Sequence, residues 1–224
     1  MAGSIFPFFE MAGTIAFAVS GAMTALKKDM DIFGVAILAL CTAIGGGVIR
    51  DIVLGITPPG AFENPLSTGV AICTAVMVFL PFVRRQFTRV HRLYDVVLFF
   101  MDTAGLSIFT VIGVETAYLT HSDPGLFLLI FVGVITGVGG GVLRDIMAGN
   151  TPYIFVKHFY ATASLAGALL CAVLWPVMGK SGAMLCGAFT VTVLRVCAAH
   201  FRWSLPRGRQ DVTPQEKSSE TDAE

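Results

Sequence analysis

The chain has 224 residues, 55% of them hydrophobic and 13% charged, with fifteen basic and fifteen acidic side chains and a mean hydropathy of +0.77. A soluble domain of this length would need far more charge on its surface. A transmembrane β-barrel would show strands of about 10 residues with alternating polarity, whereas the apolar stretches here are longer and continuous.

Seven such stretches approach the roughly 20 apolar residues that a helix needs to cross a bilayer. The first, Ile5–Leu26, follows a start without basic residues and reads as a retained helix rather than a cleaved signal; it carries Glu10 and Ser20. The second, Ile32–Leu54, holds Thr42, then Gly45, Gly46 and Gly47, then Arg50 and Asp51. The third is Leu66–Val83. The fourth, Tyr94–Glu115, holds Asp102 and Thr110, and the fifth, Gly125–Met147, holds Thr136, then Gly139, Gly140 and Gly141, then Arg144 and Asp145. The sixth is Phe155–Trp175. The seventh, Ser181–Phe201, carries Arg195, read as snorkelling towards lipid headgroups. Residues 1–204 form one transmembrane domain, and the polar stretch 205–224 reads as a disordered tail.

Basic residues set the orientation, because cytoplasmic loops carry an excess of Lys and Arg. Lys27 and Lys28 follow the first span, Arg84, Arg85, Arg89 and Arg92 the third, Lys157 the fifth, and Arg202, Arg207 and Arg209 the seventh. The opposite set of loops holds only Lys180. The N-terminus is therefore expected outside and the C-terminus in the cytoplasm.

A duplicated motif organises the chain. Thr42–Pro58 reads TAIGGGVIRDIVLGITP and Thr136–Pro152 reads TGVGGGVLRDIMAGNTP, identical at eleven of seventeen positions. Upstream, Glu10, Gly13, Phe17, Gly21 and Ala25 align with Asp102, Gly105, Phe109, Gly113 and Ala117. Spans 1–3 (about 5–83) thus repeat as spans 4–6 (about 94–176). Three crossings are an odd number, so the second copy is inverted, with span 7 (about 181–201) added. The expected fold is an all-α integral membrane protein of two inverted three-helix repeats plus a seventh helix. Such a plan places a transport site between the repeats near the midplane.

Three consecutive glycines weaken a helix by about 1 kcal/mol each relative to alanine, so both triplets are expected to mark a bent or unwound segment beside a polar cavity. Close packing is the competing role, since small residues recur at four-residue spacing at Gly133, Gly137 and Gly141 and at Ala39, Ala43 and Gly47. The charges after the triplets have two readings. Inverted symmetry would pair Arg50 with Asp145 and Arg144 with Asp51, or each charge would lie near the interface and snorkel. Asp102, deep in an apolar stretch, is a candidate cation-attracting or gating group. Glu10 reads as solvated near the outer end. Thr42, Thr136, Ser20, Thr110 and Glu10 are candidate pore-lining groups, although hydroxyls also bond to their own helix.

The five cysteines and four histidines have no metal-ligand spacing, and no nucleophile–base pair or phosphate loop stands in a soluble context. Neither catalysis nor a cofactor nor a nucleic-acid partner is expected. The paired GGGxxRDxxxG motifs, spanning about Ile5 to Phe201 with their flanks, resemble those of the bacterial relatives of the trimeric intracellular cation (TRIC) channels. The resemblance implies a homotrimer in a bacterial inner membrane, with a pore inside each protomer conducting potassium and sodium and no resident metal beyond the transient monovalent ion. It also implies a seventh helix that completes fold and trimer, for which Gly179, Ala183 and Gly187 offer a small-residue stripe. Related double-motif proteins are also described as candidate glycine transporters, so a secondary carrier is the alternative function.

Overall fold

The computed structural model describes residues 5–63, 65–83, 91–156, 159–201 and 203. The basic positions Arg84, Arg85, Arg89, Lys157, Arg202, Arg207 and Arg209, and the tail, lie outside the described residues.

Eight helices carry the described chain: α1 (Ile5–Lys27), α2 (Ile32–Val53), α3 (Gly60–Glu63), α4 (Pro65–Phe79), α5 (His91–Thr120), α6 (Leu126–Met147), α7 (Tyr153–Val156) and α8 (Ala161–His200). Among the described residues five are long and apolar enough to cross a membrane: α1, α2, α5, α6 and α8. The third expected span is shorter than read, because α4 has 15 residues. The last two expected spans share α8, whose 40 residues would reach about 60 Å if straight, twice a bilayer core. It is not straight: Gly179, at φ 70° and ψ 175°, breaks it three residues after Pro176. The arms 161–178 and 180–200 fold back on each other, since a methyl on Gly187 would press on Cys171 and on the Gly167 carbonyl oxygen.

The packing repeats in two sets. α1, α2 and α4 pack on one another, as do α5, α6 and α8, and the sets join through α1 against α5 and α2 against α6. Glycines make these contacts close, and they do so reciprocally. Gly21 of α1 lies against Leu38, Ala39 and Thr42 of α2, while Gly113 of α5 lies against Val132 and Thr136 of α6. Gly105 of α5 receives the ring of Phe17, and Gly13 of α1 receives that of Phe109.

The surface is apolar where lipid would lie. Phe127, Val177 and Phe189 are 81%, 79% and 70% exposed, whereas Thr42, Thr110, Thr136, Ser164, Asp102 and Glu115 are fully buried. Water would favour the opposite arrangement; a hydrocarbon surround with internally paired polar groups favours this one.

The glycine triplets do not behave as expected. α2 and α6 run as unbroken helix through Gly45–Gly47 and Gly139–Gly141. Their purpose is proximity: the Gly140 amide nitrogen would be 3.2 Å from a methyl on Gly46, and that methyl would collide with the Thr136 carbonyl oxygen. Close packing therefore replaces local unwinding. The expected small-residue stripe of the last span also divides, since Gly179 forms the break while Ala183 is buried and Gly187 packs inside the protomer.

Candidate functional site

The second half of the duplicated motif builds two helix ends. Gly55 and Gly149 adopt φ 72° and 65° just past α2 and α6, where the left-handed conformation that glycine tolerates closes a helix C-terminus. The amides of Ile56 and Asn150 then bond back to the carbonyls of Asp51 and Asp145 at 2.8 Å each. This reversal brings the next segment under the aspartate. Asp51 Oδ2 accepts from the Gly60 amide at the start of α3, and Asp145 Oδ2 from the Tyr153 amide at the start of α7, both at 2.9 Å. The other oxygen of each takes the arginine before it in sequence: Arg50 Nε to Asp51 Oδ1 at 2.8 Å, and Arg144 Nε to Asp145 Oδ1 at 2.9 Å. The crossed pairing is thus not formed. Neighbouring side chains leave a helix about 100° apart, but an arginine is long enough to fold back over the helix end.

Beyond this shared frame the two copies differ. Around Arg144, Nη1 donates to Asp102 Oδ1 at 2.7 Å and to Ser20 Oγ at 2.5 Å, while the Tyr153 ring faces the guanidinium at 5.0 Å. Asp102 Oδ2 accepts from Arg195 Nη2 at 2.9 Å, and the Tyr160 hydroxyl lies 3.4 Å from Oδ1. Arg195 also bonds Thr103 at 3.3 Å and lies between the rings of Phe99 and Tyr160, at 5.0 and 4.7 Å. Arg144, Asp102, Asp145 and Arg195 are all buried. Two positive and two negative charges balance there, which buried ions require. Arg195 therefore does not snorkel, and Asp102 is neutralised rather than presented to a passing cation.

Around Arg50 there is space. A cavity of about 280 Å³ is lined by Glu10, Thr14, Gly47, Arg50, Asp51 and Ser67, with Ala43, Ile44 and Phe109 among its apolar walls. Glu10 is half-buried and meets the Ser67 hydroxyl at 3.5 Å. Among the described residues no ion pair joins it to Arg50. The counterparts of Asp102 and Arg144 thus both line an open cavity.

The two regions lie in line along α1. Glu10 and Thr14 line the cavity, Ser20 holds Arg144, and Phe17 lies between them, stacked on Phe109 with centroids 5.3 Å apart. Glu10 to Ser20 is about 15 Å along a helix. The arrangement is a polar cavity, a stacked aromatic pair and a buried ionic cluster in series. Of the other expected lining groups, Thr42 and Thr136 each bond a carbonyl one turn back at 2.6 Å. Thr110 pairs with Ser164 at 2.7 Å. All three are turned into packing rather than into the cavity.

Sequence reading missed the partners of Arg195, the cap function of both aspartates, and Tyr160. It also passed over Glu115, fully buried and ion-paired with Lys180 immediately after the Gly179 break. An acid inside an apolar stretch was the available signal. Among the described residues no group of His, Cys, Asp or Glu is placed to hold a metal ion.

A family model described as "Glycine transporter" matches residues 7–82 and 99–176. A UPF0126 membrane protein of Vibrio cholerae serotype O1 is 39% identical over 204 residues, covering 91% of this chain and 82% of the relative. The UPF0126 inner membrane protein YadS of Escherichia coli K12 is 34% identical over 201 residues, covering 89% and 94%. A solved structure described in terms of conductance through TRIC cation channels superposes with a TM-score of 0.81 at 33% identity, covering 93% of this chain and all of the other. That of a TRIC trimeric intracellular cation channel orthologue from Rhodobacter sphaeroides gives 0.80 at 32%, covering 89% and 100%.

Proposed function

This chain belongs to the TRIC-type family of bacterial membrane proteins, and from that premise we propose that it is a monovalent cation channel with a pore inside each protomer. The observation that carries the reading is the series along α1: Glu10 and Thr14 on the cavity, Phe17 against Phe109, and Ser20 on the Arg144 lock. An ion path needs polar groups in line and a barrier that can be withdrawn. The cavity supplies Glu10, Thr14 and Ser67 on its wall, the glycine crossing of α2 and α6 flanks the barrier, and the lock closes the far end. The conformation is then a closed one. Potassium and sodium are the expected ions, because the vestibule offers carboxylates and hydroxyls without a dense cage for a divalent ion.

The same reading takes the chain as seven spans in two inverted repeats, α8 supplying the sixth and seventh on either side of Gly179. The reciprocal glycine contacts support it. A homotrimer in the inner membrane, with the N-terminus outside, agrees with the relatives described as trimeric and as inner membrane proteins and with the placement of Lys27 and Lys28. The vestibule then faces outward and the lock faces the cytoplasm.

A second reading has its own observation. The cavity presents Arg50 and Glu10 within one small space on a single side of the barrier, which fits the carboxylate and ammonium of a zwitterion such as glycine, and a carrier exposes its site to one side at a time. Planar-bilayer recording of the purified protein in potassium chloride separates the two. Unitary currents that reverse near the potassium potential support the channel. Saturable glycine uptake into vesicles with no unitary events overturns it in favour of the carrier.

A further inference from the structure

We propose that the last arm of α8 is the latch of the ionic lock, with Arg195 as the positioning residue that holds Asp102 on Arg144. This rests on the channel reading above and names how that site is kept closed.

Asp102 is shared between two guanidiniums from two different helices, Arg144 of α6 on Oδ1 and Arg195 of the α8 arm on Oδ2. Arg195 is fixed from three sides, by the Thr103 hydroxyl and by the rings of Phe99 and Tyr160. Phe99 and Thr103 lie on α5 with Asp102, so Arg195 clamps the α8 arm to α5 at that point, with the Tyr160 ring on its other side. Arg144 in turn reaches across to Ser20 of α1. The chain of contacts runs from α8 through α5 and α6 to α1, and so closes the space between the two packing sets.

The molecule contains its own comparison. The Arg50 copy has the same Arg-Asp frame, the same helix-end glycine and an acid, Glu10, at the position corresponding to Asp102. The α8 arm beyond Gly179 lies outside the duplicated stretches; among the described residues no second arginine pairs with Glu10, and there the acid is left on an open cavity. The copy with the latch is buried; the copy without it is open. Charge points the same way. Removing Arg195 leaves one cation for two buried carboxylates, Asp102 and Asp145. A negative, under-paired site is one that water and cations enter.

The test is Arg195→Gln, with Arg195→Lys as the conservative partner, each purified as the intact assembly and recorded in planar bilayers. Arg195→Gln should raise open probability about tenfold, a shift of about 1.4 kcal/mol in the closed–open balance, with unitary conductance unchanged; Arg195→Lys should return it towards the parent value. In an Asp102→Asn background the Arg195→Gln effect should vanish, because the two act through one contact. Unchanged gating in an intact Arg195→Gln assembly overturns the latch, as does an equal effect in the Asp102→Asn background. Should no variant carry current, the channel reading fails by itself. The latch is then judged by S20C in a cysteine-free chain, treated with a charged thiol reagent: inert with Arg195 or R195K and reactive with R195Q supports it, equal reactivity in all three sinks it.

Discussion

Gly46 and Gly140 meet backbone to backbone where α2 crosses α6, each leaving room for the carbonyl of a threonine on the other helix, Thr136 and Thr42. No side chain separates the two helices at that point. A single methyl there has nowhere to go, because its nearest neighbours are main-chain atoms held in two helices. Gly46→Ala or Gly140→Ala should each destabilise the fold by about 1–3 kcal/mol, the usual range for overpacking. Gly69 on α4 is the control, since a methyl there meets nothing within 4 Å, and Gly69→Ala should be neutral or stabilising by up to about 1 kcal/mol through helix propensity. Thermal unfolding in detergent reads both. Equal melting temperatures for Gly46→Ala and Gly69→Ala would show that the crossing is not tight.

The Phe17–Phe109 stack stands between vestibule and lock. Phe109 touches the cavity directly, and shortening it thins the wall between the cavity and Ser20 without altering a charge. Phe109→Ala should therefore raise cation leak through proteoliposomes, with the buried lock still limiting it; combined with Arg195→Gln the leak should exceed either alone. Phe109→Leu should behave like the parent. A leak that is the same for Ala and Leu would place the barrier elsewhere.

Asp51 and Asp145 each do two things, pairing with an arginine and capping the short helix that follows. Substitution by asparagine keeps an oxygen for the amide of Gly60 or Tyr153 and removes the charge; alanine removes both. Losing such a cap costs about 0.5–2 kcal/mol, so Asp51→Ala should be less stable than Asp51→Asn by that amount. At Asp145 both changes should be more damaging than at Asp51, because Arg144 is buried and Arg50 is partly open. Denaturation of the four variants in the same detergent checks the order.

These relationships differ in how far the sequence disclosed them. Apolar length located the five long helices, and the duplicated motif located the α2–α6 pair, because both are local patterns in the chain. Helix-end function at Gly55 and Gly149 was also present in the letters, as a glycine four residues after each aspartate, but its consequence depends on where the chain goes next. Glycine triplets were ambiguous on chemical grounds: the missing side chain that weakens a helix in isolation is the same feature that lets another backbone approach, and only the facing Thr42 and Thr136 carbonyls decide. Arg195 was read as a lipid-facing end because its partner is 93 positions away. No periodicity encodes a contact of that kind, and the break at Gly179 that turns the arm inward has no signature beyond one glycine near a proline.

The lock makes the sharpest stability contrast in the molecule. Asp102→Ala strands two buried guanidiniums, Arg144 and Arg195, with Asp145 as the remaining acid. Removing one partner of a buried ionic group costs about 3–5 kcal/mol, since the charges left behind stay desolvated. Glu10→Ala removes the corresponding acid of the other copy, which stands on a cavity and meets a serine, and a solvated group of that kind contributes about 1 kcal/mol or less. Parallel unfolding of the two alanine variants should therefore separate them widely, with Asp102→Ala giving the lower yield of intact assembly. A Glu10→Ala loss as large as that of Asp102→Ala would mean that Glu10 is held by buried partners as tightly as Asp102, and the contrast between the two copies would fail.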